Sequence, residues 1–476
     1  MPRAATSRPT PLRRMPEALM YLIGGGPLLT RAGDIPFIED GAVAVDGALI
    51  KKVGPLNKLA AEFPEARFID AEGGVIMPGF INAHTHFYSS LGRGFRMPGF
   101  DPKCFREALA GRSWKLDRSL LFEDCVMSAY ASAIGAIRHG VTTVIDHHAS
   151  SGCVNGSLIG VAGAVGEAGI RACLSFETSE RCGMDVCRRE IRENEGFIEY
   201  CAQYPSGLIR PMFGLHAPFT LSDGTLAECA ERCRGRAGFH IHVSESVDDG
   251  FASMQLCGKT PVGRLRDSGI LGEKTLLAHC VHVSEGELDV IAGTGSMIAV
   301  NPMSNMSNAV GCAPVRGMLE RGITVGLGTD GFTQSLPESA KALALMMRMT
   351  EGRPAVGLGE AARLMVRGNA GIASRLFGAD IGVLREGAAA DVIILGGRPL
   401  TPLDADNADD QLIFGMSASN CRMTMAAGRL LMLDGKLLTL DEEELRRQIS
   451  ETAKALWKRL EAAAPFEWKP PLGTFL

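Results

Sequence analysis

The sequence predicts an α/β protein in which a (β/α)8 barrel of the TIM type carries a small β-sandwich formed from both chain ends. Two observations lead to this fold class. The middle of the chain alternates short apolar strands with helical stretches, and these strands end in polar or metal-competent residues. Both ends instead contain short strands broken by turn residues. A doubly wound open sheet would also alternate strands and helices, but it would not need polar ligands at so many strand ends.

The β-sandwich is predicted from residues 18–77 and 381–438. In the first part, residues 41–50 have the pattern of a hairpin around Asp46-Gly47, which is a strong turn signal. The second part repeats this pattern and contains the turn Asp434-Gly435. Because the same pattern stands on both sides of a long α/β segment, we expect the two ends to form one unit.

Residues 78–380 are predicted to form the barrel. Eight strand candidates recur through this segment, as eight βα units require. They end at residues 80–86, 144–148, 174–177, 213–216, 239–242, 276–279, 298–301 and 325–330. Because the active site of such a barrel lies where its strands end, we expect the functional residues there.

The two extremities are predicted to carry no chemistry. Residues 1–14 contain four arginines and no acidic residue, and we expect residues 1–17 to be a disordered tail. Residues 439–476 are predicted to be a helix and a tail, with a capping box formed by Thr439 and Glu442. We expect this helix to serve packing or oligomerisation. Its apolar face would consist of Leu445, Ile449, Leu456 and Leu460.

The composition excludes several classes of protein. The formal net charge is -5 and no basic stripe is present, so nucleic-acid binding is not indicated. No apolar run approaches the roughly 20 residues that span a bilayer. The 13 cysteines are odd in number and scattered, unlike a disulfide framework, which favours a reducing, cytoplasmic setting.

The histidines give the strongest functional signal. All ten lie between His84 and His282, and His84-Thr85-His86 closes an apolar strand. Residues i and i+2 of a strand face the same way, so this strand would hold two imidazoles side by side. His242, His279 and Asp330 end three other predicted strands. We expect these residues to converge on a metal site at one mouth of the barrel.

At these motifs the chain resembles the amidohydrolase superfamily, in its mononuclear deaminase and chlorohydrolase branch, and within it the SsnA group of aminohydrolases. Four stretches carry the resemblance: NAHTHFYSS at 82–90, GLHAPFTLSD at 214–223, NPMSNMSNAVG at 301–311 and GTDGFT at 328–333. The resemblance covers residues 18–440 and implies the same sandwich-plus-barrel architecture.

The resemblance implies one divalent metal ion, with zinc the first choice and iron the second. Its ligands would be His84, His86, His242 and Asp330. His240 lies two residues before His242 and would face the same side one layer deeper. No lysine lies between Lys115 and Lys259, so the carboxylated lysine of binuclear relatives cannot be supplied at the fourth strand.

The resemblance also implies catalytic and substrate-binding roles. Glu245 matches an acid/base that protonates a ring nitrogen and then the departing amine, and His279 matches a histidine that hydrogen-bonds the hydrolytic water. Asp330 would accept a proton from that water. The predicted substrate contacts are His216, Tyr88, Ser304 and Asn305. His147 and His148 also end a strand, and either could line the pocket, whereas His139 and His282 are predicted to be structural.

We therefore expect an enzyme that acts on carbon–nitrogen bonds other than peptide bonds, a cyclic amidine deaminase that releases ammonia from a purine-like or pyrimidine-like heterocycle. The same site could instead hydrolyse a cyclic amide or displace chloride from a ring. A non-catalytic scaffold on the same fold is a third hypothesis, which predicts lost ligands. The expected partners are a small-molecule substrate and further copies of the chain, in a homo-oligomer that is a dimer or larger.

Overall fold

The structure, a computed structural model, describes residues 20–397, 400–416, 420–464 and 466. The predicted disordered tail at residues 1–17 lies outside these residues, as does the end of the C-terminal tail from residue 467. Among the described residues no single helix is long and apolar enough to cross a membrane. One pair of helical segments, Phe105–Ser119 and Phe122–Arg138, passes by length and composition but is bent by 110°.

The described residues contain eighteen strands. In chain order they are β1 (Tyr21–Leu29), β2 (Phe37–Asp46), β3 (Leu49–Pro55), β4 (Arg67–Asp70), β5 (Val75–Pro78), β6 (Phe80–Thr85), β7 (Val141–His148), β8 (Arg171–Phe176), β9 (Ile209–Pro211), β10 (Phe213–Leu215), β11 (Phe239–Val243), β12 (Leu276–His279), β13 (Met297–Val300), β14 (Val325–Leu327), β15 (Val392–Leu395), β16 (Cys421–Ala426), β17 (Arg429–Leu433) and β18 (Lys436–Leu437).

Seventeen α-helices lie in the same described residues. They are α1 (Leu56–Glu62), α2 (Phe105–Ala108), α3 (Trp114–Ser119), α4 (Phe122–Arg138), α5 (Ser157–Ala168), α6 (Met184–Gln203), α7 (Asp223–Cys233), α8 (Val247–Cys257), α9 (Pro261–Asp267), α10 (Glu285–Thr294), α11 (Pro302–Ser307), α12 (Val315–Glu320), α13 (Leu336–Glu351), α14 (Leu358–Arg363), α15 (Asn369–Phe377), α16 (Ala408–Asp410) and α17 (Glu442–Ala462). The segments Phe87–Gly92 and Pro218–Thr220 are 3-10 helices, and Leu109–Ser113, Leu364–Gly368 and Gln411–Gly415 are π-helical turns.

Both chain ends form one β unit, as predicted. Nine strands share a sheet in the order β18-β17-β16-β15-β5-β1-β2-β3, with β4 paired to β1. The sheet returns on itself, because Leu49 at the start of β3 bridges Ala389 just before β15. Alternate residues such as Val43, Ile76 and Ile394 face a common apolar core. The predicted sandwich is therefore one continuous hydrogen-bonded sheet folded around its own core.

The barrel has the eight predicted strand positions. Strands β6 to β9 form one parallel sheet and β10 to β14 form another. The short strands β9 and β10 share the fourth position, interrupted at Met212, and pair with β8 and β11 respectively. A parallel bridge between Thr85 and Asp330 joins the last strand to the first. This closure brings the ends of β6 and β14 together, and with them two of the predicted metal-binding segments.

The barrel strands are buried on both faces, as parallel strands covered by helices must be. Every residue of β7, β8 and β11 is buried. The largest apolar cluster combines strand residues such as Val144 and Ile241 with helix residues such as Ala133 and Val161. This packing fixes the strand ends, and the site is built on those ends. The domain boundaries given above stay predictions.

The C-terminal helix is present, but its predicted cap is wrong. The N-cap of α17 is Asp441, whose side chain accepts a hydrogen bond from the backbone N–H of Glu444. Thr439 does not cap the helix, because its hydroxyl donates to the carbonyl of Ala168 at 2.9 Å. The expected apolar face is confirmed at Leu456 and Leu460, which are fully buried.

Candidate active site

A cavity of about 560 Å³ opens at the carboxyl ends of the barrel strands. Seven of the predicted site residues lie on its wall. They are His86, Tyr88, His216, His242, Glu245, Ser304 and Asp330. His84 and His279 are completely buried behind the wall. Neither His147 nor His148 lines the cavity. The structure therefore gathers the predicted site residues at one mouth of the barrel.

The imidazoles of His86 and His242 present their Nε2 atoms to the same point. His86 Nδ1 donates to the carbonyl of His147 at 2.6 Å, and His242 Nδ1 donates to the carbonyl of His216 at 2.9 Å. Each Nε2 atom therefore carries a lone pair, and the two Nε2 atoms are 3.2 Å apart. Two lone pairs that face each other at this distance can bind one cation together, as the ligands of a metal ion do.

His84 and Asp330 complete this cluster. His84 Nδ1 is 2.8 Å from His240 Nε2, which leaves His84 Nε2 buried without a hydrogen-bond partner. Asp330 Oδ1 lies 3.4 Å from His86 Nε2. His84, His86 and Asp330 form one group of mutually close metal-competent atoms, and His84, His242 and His279 form another. The buried donor set of nitrogens and one carboxylate therefore fits a divalent metal ion, and zinc is a common choice for such ligands.

Burial sets the protonation of these groups. It lowers the pKa of His84, His86 and His242, so their rings are neutral and their lone pairs are available. Burial works in the opposite direction on Asp330, but His86 and His279 outweigh it. The pKa of Asp330 is therefore below its usual value, and its carboxylate stays ionised.

His279 lies between two carboxylates. Its Nε2 is 3.4 Å from Asp330 Oδ2 and 3.6 Å from Glu245 Oε2. Its Nδ1 lies 2.8 Å from Oδ1 of Asn305. With the amide oxygen accepting from Nδ1–H, the Nε2 lone pair faces the site. Asn305 was predicted to contact substrate, but it is fully buried and off the cavity wall. The geometry instead favours a role in orienting His279.

Glu245 is held from its outer side. Asn308 Nδ2 donates to Glu245 Oε1 at 3.1 Å, and Asn308 Oδ1 accepts from Arg112 at 3.2 Å. Burial raises the pKa of Glu245, so a protonated carboxyl is available closer to neutral pH than usual. The other oxygen, Oε2, stays directed toward His279. This arrangement can hold and deliver a proton.

Three of the predicted substrate contacts, His216, Ser304 and Tyr88, line the cavity. His216 Nδ1 lies 3.0 Å from the hydroxyl of Thr220, and its Nε2 accepts from the indole N–H of Trp114 at 3.4 Å. Ser304 lines the cavity and its hydroxyl bonds to Asp330. Tyr88 stands edge-on to the ring of His86, with the centroids 5.4 Å apart.

Sequence analysis assigned no role to Glu177, an ionisable residue of the wall. Glu177 follows β8 and lines the cavity, although it is 2% exposed. Its Oε1 is 3.4 Å from His86 Nδ1, and Oε2 is 3.6 Å from Arg181 Nη1. Burial raises the pKa of Glu177, and Arg181 opposes that rise. Its position at the end of the third predicted strand indicated that it lies near the site, but a carboxylate at a strand end does not by itself indicate a role.

A (β/α)8 barrel that gathers neutral imidazoles and carboxylates at its strand ends defines a metal-dependent enzyme class. Residues 75–431 match the amidohydrolase family, and the chain belongs to that family. The membership confirms the predicted superfamily. The prediction of an enzyme that hydrolyses carbon–nitrogen bonds is confirmed by relatives that are named as deaminases. The closer likeness to the SsnA group stays a prediction.

Named relatives cover nearly the whole chain. A 5'-deoxyadenosine deaminase of Methanosarcina mazei is 32% identical over 442 residues, which are 91% of this chain and 98% of the relative. A 5-methylthioadenosine/S-adenosylhomocysteine deaminase of Pelotomaculum thermopropionicum is 32% identical over 448 residues, with coverages of 92% and 99%. The crystal structure of an adenosine deaminase from Xanthomonas campestris with bound zinc has a TM-score of 0.81 at 21% identity. It covers 94% of this chain and 100% of its own, and this likeness confirms the fold.

Proposed function

We propose that the protein is a divalent-metal-dependent aminohydrolase that releases ammonia from an amino-substituted nitrogen heterocycle of the purine or pyrimidine type. The observation that carries this proposal is the position of His279 Nε2 between the carboxylates of Glu245 and Asp330, beside the imidazole cluster. The relatives named as deaminases support the reaction type.

The metal ion would be held by His84, His86, His242 and Asp330, with zinc the first choice and iron the second. The converging Nε2 lone pairs of His86 and His242 support this assignment. When bound, such an ion supplies Lewis acidity, which lowers the pKa of water so that a hydroxide nucleophile is available at neutral pH. Each of the remaining steps is assigned to a side chain of this protein.

Asp330 and His279 would handle the proton of the attacking water. Asp330 is ionised and its Oδ2 lies 3.4 Å from His279 Nε2, so both are acceptors directed at the same space. His279 would orient the water through its Nε2 lone pair while Asp330 takes the proton. Asn305 fixes the ring of His279 from behind.

Glu245 would act as the general acid. It would protonate a ring nitrogen as the water oxygen bonds to the amine-bearing carbon, and the proton that Asp330 took from the water would then pass to the amine. The remaining hydroxyl proton would return to Glu245 as the carbonyl forms. The carbon–nitrogen bond breaks and ammonia leaves, because a protonated amine is a far better leaving group than an amide ion. The balance is one water consumed and one ammonia released, with a ring carbonyl formed in place of the amine.

The test is ammonia release by the metal-loaded protein from aminopurines, aminopyrimidines and pterins, with products identified by mass. We expect ammonia and the oxo product in equal amounts for at least one compound. E245Q should lower kcat by about 10²–10⁴-fold and keep its metal. E199Q changes a carboxylate on α6 that is mostly exposed and should match the wild type. Absence of ammonia from every compound, or ring opening instead of deamination, would contradict the proposal.

A further inference from the structure

Glu177 is a buried carboxylate that the proposed reaction does not use. It lies on the cavity wall beside the metal-competent nitrogens, and its ligand atom is within 4.8 Å of those of His86, His147 and His242. It therefore stands at the depth of the reacting centre and not at the cavity entrance. A carboxylate at this depth meets the ring of a bound heterocycle before it meets a distant substituent.

The carboxylate is anchored on one side only. Arg181 Nη1 is 3.6 Å from Oε2, and Arg181 is itself fixed by an ion pair with Asp117 at 2.6 Å. Oε1 is buried and has no hydrogen-bond partner among the described residues. A buried acceptor without a donor is costly, so a donor from a bound molecule would be strongly favoured.

The side chains around Oε1 and Oε2 do not supply that donor. His86 gives its Nδ1–H to the carbonyl of His147. His216 uses Nδ1 toward Thr220, and its Nε2 accepts from Trp114, so it has no proton to offer Glu177 at 3.9 Å. His147 Nδ1 is 3.7 Å from Oε1, beyond hydrogen-bond distance. None of these side chains therefore satisfies Oε1, and Glu177 itself lies on the cavity wall, where a bound molecule can reach it.

We propose that Glu177 selects the substrate by accepting a hydrogen bond from an N–H donor on the heterocycle, away from the amine that is lost. The preferred substrates are then rings with a second donor, either a ring N–H or a second amino group. This inference rests on the proposed function and deepens it. A site built to bond an N–H discriminates strongly against an analogue that lacks it, since the acceptor is then left buried and unpaired.

The test compares matched ligands that differ by one donor. The pairs are 9-methyl-2,6-diaminopurine with 9-methyladenine, in which the methyl group removes the ring N–H, and 2,4-diaminopyrimidine with 4-aminopyrimidine. Dissociation constants are measured by calorimetry on the metal-loaded wild type, E177L, E177Q and E199Q, with ammonia release followed in parallel. We expect the wild type and E199Q to bind the diamino member at least about 10-fold tighter. E177L, which removes both oxygens, should lose most of that ratio while keeping its metal content, and E177Q, which keeps one amide oxygen, should retain part of it.

Several results would overturn the inference. Equal binding of both members of each pair by the wild type would do so without any variant. So would E177L with the full ratio, or E177L without its metal, which would make Glu177 a positioning residue for His86. Hydroxyl donors of a sugar have the same chemistry, so adenosine is compared with 9-methyladenine. A preference for adenosine that disappears in E177L would assign Glu177 to the sugar instead.

Failure of the proposed function gives a different result. In that case the wild type releases no ammonia from any compound, whereas the binding ratios and their dependence on Glu177 are still measured. Binding discrimination without turnover would retain the inference about Glu177 and reject the deaminase. Turnover without binding discrimination would retain the deaminase and reject the inference about Glu177.

Discussion

His86 and His242 illustrate at the scale of single residues how the backbone prepares the chemistry. Each ring donates Nδ1–H to a carbonyl of another barrel strand, and each directs Nε2 into the site. The sequence predicted both residues from their places at strand ends. It could not predict which nitrogen faces the cavity, because the accepting carbonyls belong to His147 and His216, which are distant in the chain.

Asn305 is the residue whose predicted role the geometry disfavours. Its side-chain oxygen lies 2.8 Å from His279 Nδ1, so N305A should leave that ring free to turn or change tautomer. We expect N305A to lower kcat by about 10–100-fold with the metal content unchanged, and N305D to retain more activity because it keeps an acceptor. Steady-state kinetics and metal analysis check this. A change in KM alone would instead indicate substrate contact.

Asp146 gives a pH-dependent prediction at the same scale. Burial raises its pKa to about 7, although its Oδ1 accepts from the backbone N–H of Phe87 at 2.7 Å. The folded protein therefore holds a proton that the unfolded chain releases near pH 4, and Asp146 lowers stability as pH rises from about 4 to 7. Relative to D146N, the wild type should lose up to about 4 kcal/mol over this range. Unfolding at pH 4 and pH 8 measures the difference between the two proteins, and a pH-independent difference would contradict the prediction.

At the scale of elements, α17 shows what a sequence pattern can and cannot establish. The 3.6-residue periodicity predicted the helix and its buried face, since Leu456 and Leu460 pack against the barrel. The pattern placed the cap two residues too early. Thr439 and Asp441 are both good capping residues, and the choice is made by the contact of Thr439 with the carbonyl of Ala168.

The corrected cap can be tested directly. D441A should lower the stability of α17 by about 1 kcal/mol, because the N–H of Glu444 loses its acceptor. Hydrogen exchange of the first-turn amides of α17 measures this locally. E443A alters an exposed residue of the same turn without removing a cap and serves as the control. Equal exchange in D441A and the wild type would mean that the cap is not formed.

At the scale of the whole molecule, a buried ion pair joins the barrel to the terminal sheet. Arg171 at the start of β8 contacts Asp391 just before β15 at 2.8 Å, and both side chains are almost fully buried. Asp391 also accepts from the backbone N–H of Ala427. The pairing of both chain ends was predicted from their repeated turn patterns. The single sheet and this contact were not, because they depend on strand register across distant segments.

Breaking that pair should destabilise the entire protein. R171A or D391A alone should cost about 3–5 kcal/mol, since each leaves a buried charge without its partner. The double variant should cost clearly less than the sum of the single costs. Urea unfolding of the four proteins measures the coupling, and additive costs would contradict it.

The predicted homo-oligomer and cytoplasmic location stay predictions.

The central claim is a metal site made by His84, His86, His242 and Asp330, and metal content per chain tests it most directly. Inductively coupled plasma analysis of the purified wild type should find one divalent ion per chain. H84Q and H242Q should hold far less, whereas H139Q, which changes a histidine bonded to the carbonyl of Gly135, should match the wild type. Undiminished metal in H84Q and H242Q, or no metal in the wild type after zinc or iron loading, would contradict the account.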